Sequence, residues 1–130
     1  MWQDARVFVK LNYELTDSEN FKKDYGLKDQ LQRSVVSIMN NIAEGFEGNR
    51  EFIKFLKYSK GSAGEVRSML YVSLDLSYIS EENFNKSFES SISIITQISN
   101  FIKCLRRHMI KEKITKLRTT VSVIFKYLNF

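Results

Sequence analysis

Two helix-period apolar patterns meet within residues 30–65, QLQRSVVSIMNNIAEGFEGNREFIKFLKYSKGSAGE, and the rest of the chain is organised around them. In the first, Leu31, Val35, Ile38 and Ile42 fall within about 60° of one another at ~100° per residue, with Asp29, Arg33, Ser37, Asn40 and Glu44 on the other side. Val36, Met39 and Ala43 widen the apolar arc to roughly half the circumference, so this helix is expected to touch more than one neighbour. The corner after it is Glu44, Gly45, Phe46, Glu47 and Gly48. Gly45 suits the left-handed residue past a helix end, and Asn49 suits the cap of the next helix.

That next helix is expected from about Arg50 to Tyr78. Its main stripe is Phe52, Phe55, Leu56, Ser59, Ala63, Val66, Leu70, Ser73, Leu74 and Ser77. The stripe crosses Gly61, Ser62, Ala63 and Gly64, where two glycines weaken a helix by roughly 2 kcal/mol relative to alanine. A cost of that size points to a close backbone approach or a bend. A second line, Tyr58, Ser62, Glu65, Met69, Val72 and Leu76, alternates spacings of three and four residues on a different side. A helix with one buried face would carry charges there, so Tyr58, Met69, Val72 and Leu76 are candidates for a seam between subunits, with packing inside one chain as the alternative.

A first helix is expected over residues 2–16, where Trp2, Ala5, Phe8, Val9, Leu11, Tyr13 and Leu15 recur without a breaker. The polar run from Thr16 to Asn20 is turn-like, and residues 21–26 link to the helix described first. Ser80 is a plausible cap for a fourth helix with Glu81 and Glu82 in its first turn. Phe84, Phe88, Ile92, Ile95, Ile98, Ile102 and Leu105 then repeat at helical spacing, broadened by Ile94 and Phe101. The pattern therefore predicts an all-α, up-and-down antiparallel four-helix bundle over residues 1–108. Residues 109–130 form a basic C-terminal extension in which Thr119, Thr120, Val121, Ser122, Val123, Ile124 and Phe125 are strand-like in composition. It can prolong the fourth helix, pair as an edge strand or trail as a tail, and the adopted reading is a helical or loosely ordered appendage.

Composition narrows the function classes. A chain of 130 residues with 43% hydrophobic content supports one domain with a real core. No apolar run approaches the ~20 residues that span a bilayer, which leads to the expectation of a soluble, cytoplasmic protein. With one cysteine, Cys104, and one histidine, His108, neither a disulfide nor a multi-ligand Cys/His metal site can form within the chain. No nucleophile triad, phosphate loop or dinucleotide fingerprint is present, and Glu44, Glu47, Glu51 and Glu65 read as capping or ion-pair residues. No catalytic residue, metal or cofactor is therefore expected. The net charge of +5 is concentrated in residues 109–130, which carry +4. Arg50, Lys54 and Lys57 project one way at i, i+4 and i+7, with Lys60 beside them, and Arg106, Arg107, Lys111 and Lys113 gather further on. On a single chain such stripes are ordinarily solvated, whereas self-association repeats each one into a positive band able to hold nucleic acid.

The residues from Gln30 to Gly45, then Arg50, Glu51, Phe52, Phe55 and Leu56, then Gly61, Ser62 and Glu65, resemble the signature of the bacterial 23S rRNA intervening-sequence proteins. That family is in turn similar to the accessory variability determinants of diversity-generating retroelements. The resemblance covers about residues 2–106. It implies a ring-like homopentamer of four-helix bundles, and in the retroelement members binding to a reverse transcriptase and RNA through basic surfaces. It marks Arg33, Asn41, Glu44, Arg50 and Glu65 as the motif's polar positions, which we read as a structural hydrogen-bonded or ionic cluster at the corner between the second and third helices. Lys60 departs from the small residue often found before Gly61 and Ser62, and residues 109–130 extend past the usual bundle. Two function classes follow. One is an oligomeric, non-enzymatic nucleic-acid-binding protein, with the role of accessory to a reverse transcriptase as its narrower form. The other is a protein interaction module with no nucleic-acid role.

Overall fold

The computed structural model describes residues 1–47 and 51–127, with side chains placed to residue 124. Among the described residues it holds four α-helices and no strand: α1 (Trp2–Leu15), α2 (Tyr25–Glu47), α3 (Phe52–Asp75) and α4 (Glu81–Tyr127), with a single 3₁₀ turn over Phe21–Lys23 between the first two. One compact unit spans Met1–Ser99 and a second begins at Asn100, although α4 itself is continuous through both and through the expected boundary at 108/109.

Each helix of the first unit buries a stripe set by its sequence period. The buried residues are Ala5, Phe8, Asn12 and Leu15 on α1, and Leu31, Ser34, Val35, Ile38, Ile42 and Gly45 on α2. On α3 they are Leu56, Ser59, Ala63, Val66, Leu70 and Ser73. Hydrogen bonds fix the directions. Asp4 meets Gln97 and Asn12 meets Ser87, so α1 and the first part of α4 run antiparallel. Ser34 meets Glu65 and Ser37 meets Ser62, which makes α2 and α3 antiparallel as well. As the wide apolar arc predicted, α2 packs on both α1 and α3.

Helix ends follow local chemistry. Asp24 caps α2 by accepting from the Leu27 amide at 3.1 Å, and Ser80 caps α4 by accepting from the Asn83 amide at 3.1 Å. Beyond α3 the Tyr78 amide reaches Ser73 O at 2.8 Å and the Ser77 amide reaches Leu74 O at 2.9 Å. This is a Schellman closure, with Ser77 at φ 58° in the left-handed position where glycine is usual.

Three sequence expectations are corrected. Gly45 is not past the end of α2 but inside it, with no positive φ. Its missing side chain is used by Phe52, because a Cβ there would lie 2.8 Å from the Phe52 Cε2. The Asn49 cap lies outside the described residues. Among the described residues, a Cβ added at Gly61 would meet nothing within 4 Å and one added at Gly64 would meet the Arg67 guanidinium at 3.9 Å, so no close backbone approach among them explains these glycines. On α4, Ser87 and Ser91 are buried alongside Phe84, Ile94 and Ile98, while Ile92 is exposed. The core stripe therefore runs 84, 87, 91, 94, 98 and 102, with Ser87 turned to Asn12 of α1 and Ile92 left in solvent. For the last segment the helix is the alternative realised: α4 continues to Tyr127.

Candidate interaction surfaces

A line of hydroxyl groups joins α2 to α3. Ser59 Oγ donates to the Ile38 carbonyl at 2.9 Å, and Ser37 and Ser62 share a 2.9 Å hydroxyl contact. Asn41 Nδ2 donates to both Ser37 O, at 2.8 Å, and Ser37 Oγ, at 3.0 Å. Ser34 Oγ donates to Glu65 Oε2 at 3.1 Å. Small side chains at these crossings let the two helices approach while satisfying polar groups that would be costly to bury alone.

Among the described residues, Arg33, Asn41, Glu44 and Glu65 do not share one cluster. Arg33 Nε pairs with Asp29 Oδ2 at 2.8 Å on the exposed face of α2. Arg33 and Glu65 border one shallow hollow with Gln30, Ser34, Ser68 and Met69. Asn41 is bound to its own helix, Glu44 is exposed, and Arg50 lies outside the described residues. Sequence reasoning missed Ser34, Ser37 and Ser62 as the connectors. Their signal was present as serines three residues apart on both helices.

The second line of α3 is uncovered by its own chain. Tyr58, Val72 and Leu76 are 51%, 42% and 51% exposed, and Met69 is half-buried. Lys54 lies beside this line, with its Nζ 6.0 Å from the Tyr58 ring centroid and 5.8 Å from that of Phe55. The same ammonium pairs with Glu51 at 3.3 Å, an exposed contact of little energetic weight. Lys57 is exposed and Lys60 half-buried, and among the described residues neither has an acidic partner within 4.0 Å.

In the second unit Arg106, Arg107, Lys111 and Lys113 are all exposed. His108 Nε2 lies 3.2 Å from Glu112 Oε1, and among the described residues the four cations have no acidic partner within 4.0 Å. Cys104 is free and exposed, and among the described residues no group of three or more His, Cys, Asp or Glu side chains is placed to hold a metal ion. No helix among them is long and apolar enough to cross a membrane.

The family model of the 23S rRNA-intervening sequence protein matches residues 1–103. A solved structure from Bacteroides thetaiotaomicron, a protein of unknown function from the S23 ribosomal protein family, superposes with a TM-score of 0.72. It is 23% identical, and the match covers 78% of this chain and 97% of that one, a likeness of fold. No curated protein matches.

Proposed function

The chain belongs to the family of 23S rRNA-intervening sequence proteins, and from that premise we propose that it is a non-enzymatic, self-associating four-helix bundle that binds nucleic acid, RNA foremost, through basic surfaces repeated around the assembly. The observation that carries this reading is the α3 line, where Tyr58, Val72 and Leu76 stand in water and Lys54 lies beside Tyr58 at one end. Apolar side chains at three- and four-residue spacing are covered when copies pack together, and each copy then adds its cations to a common rim. The homopentamer is the assembly we propose, with Tyr58, Met69, Val72 and Leu76 in the seam.

Phosphate binding by such a rim releases counterions, so affinity falls steeply with salt. Binding of a labelled RNA oligonucleotide to the wild type and to a Lys54→Glu, Lys57→Glu variant, across a salt series, tests the reading. We expect weaker binding and a shallower salt slope in the variant, with its helicity unchanged. Affinity indifferent to both salt and charge reversal would instead favour a protein interaction module with no nucleic-acid role. A reverse transcriptase is the narrower partner proposed, and co-purification of the two chains with RNA is its test.

A further inference from the structure

The second unit carries an apolar seam that neither the fold nor the proposed RNA binding uses. Ile110, Ile114, Leu117, Val121 and Ile124 alternate at four and three residues along α4, and each is between 45% and 65% exposed. On a helical wheel they lie within about 80° of one another, the narrow stripe of a coiled-coil seam. In heptad terms Ile114 and Val121 take the a positions and Ile110, Leu117 and Ile124 the d positions. Ile114 and Val121 at a with Leu117 at the central d suit pairing with one further helix, while Ile110 and Ile124 at the flanking d positions also admit a third. The seam lies wholly beyond residues 1–103, which the family model matches.

Charge selects the occupant. Lys113 borders one side of the seam at a g position, and Lys111 and Arg118 border the other at e positions. Glu112, the one acid in residues 109–130, sits at an outward f position and pairs with His108. In a parallel pair of copies, Lys113 of one would face Arg118 of the other, and reversing one helix leaves the borders positive on both. Like charges at e and g disfavour self-pairing, and opposite charges set partner choice. We propose that residues 110–124 form a docking seam for an acidic amphipathic α-helix of another protein, with aliphatic residues at a and d and Glu or Asp at e and g.

The test titrates the full chain against two labelled synthetic peptides of four heptads, both with Ile at a and Leu at d, one with Glu and one with Lys at e and g. Fluorescence anisotropy should give saturable binding of the Glu peptide, about tenfold or more tighter than the Lys peptide, and weaker as salt is raised. Ile114→Ser with Leu117→Ser, which keeps every charge, should lower affinity by about a hundredfold. Lys113→Glu with Arg118→Glu should reverse the preference between the peptides. All four residues are exposed, so unchanged helicity and melting of the variants confirm that the fold is intact.

Absence of binding, equal binding of the two peptides, or Glu-peptide binding retained by the double serine variant would overturn the proposal. A fall in the solution mass of the peptide-free chain on Leu117→Ser would also overturn it, by making a second copy the occupant. Loss of binding to phosphatidylglycerol vesicles or an RNA oligonucleotide in the double serine variant, with the Glu peptide ignored throughout, would transfer the seam to those ligands.

Discussion

Ser87 of α4 donates a 2.8 Å hydrogen bond to Asn12 Oδ1 of α1, and both residues are fully buried. Asn12 Nδ2 in turn donates to Phe8 O on its own helix, also at 2.8 Å, so the carboxamide is held at both ends. A satisfied polar pair of this kind fixes the register of two helices, because sliding either one strands a buried acceptor. Ser87→Ala should destabilise by about 1–3 kcal/mol in urea denaturation, and Asn12→Ala by about 3 kcal/mol through the added cavity. Asn12→Leu combined with Ser87→Ala should cost less than the two alanine changes together, since no buried polar group is left unpaired.

Two glycines should respond with opposite signs. Gly45→Ala drives a methyl group into the Phe52 ring at the corner of α2 and α3, an overpacking that should cost about 1–3 kcal/mol. Gly61→Ala enters open space within a helix and should stabilise the protomer by about 1 kcal/mol. Paired thermal or urea melts at low protein concentration read both.

Ser77 holds φ 58° at the closure of α3. Left-handed geometry costs a side-chain-bearing residue about 1–2 kcal/mol, part of which glycine gives back through its greater freedom in the unfolded chain. Ser77→Gly should therefore stabilise by up to about 1 kcal/mol, with the Schellman hydrogen bonds retained.

Tyr78 follows that closure and donates its phenol to Asp24 Oδ2 at 3.2 Å, with its ring 5.4 Å from that of Phe21. Loss of solvent around the phenol, then the hydrogen bond and charge of Asp24, raise its pKa above 10.0. A raised pKa means that the folded state holds the proton more tightly than the unfolded one. The contribution to stability is thus complete below about pH 10 and is lost as pH climbs through the folded value. Urea midpoints measured from about pH 8 to about pH 11 should fall more steeply for the wild type than for Tyr78→Phe, whose lysines titrate alike. Equal slopes would remove the Asp24 contact from the account.

The helices were legible because their apolar period is sustained, and the main stripe of α3 emerged with Leu56, Ala63, Val66 and Leu70 buried as the spacing required. What the pattern hid was the use of small polar residues. Ser87, Ser91 and Asn12 sit in the core, and hydropathy alone assigns such residues to the surface. Gly45 misled for a related reason: glycine near a helix end usually marks a left-handed turn, yet here its bare Cα is space for an aromatic ring. The motif's polar positions were legible as a set, but their partners were not. Whether Arg33 reaches Asp29 or Glu65 depends on side-chain geometry across helices that a periodic pattern does not encode.

On the proposed reading, the exposed apolar line of α3 is what brings copies of this chain together. Sedimentation equilibrium at micromolar concentration measures this directly, on the wild type and on a Val72→Glu, Leu76→Glu variant. The predicted result is a particle several times the 15.3 kDa chain mass that dissociates in the variant with its helicity intact. A 15.3 kDa particle for the wild type, or an assembly unmoved by both glutamates, would contradict it.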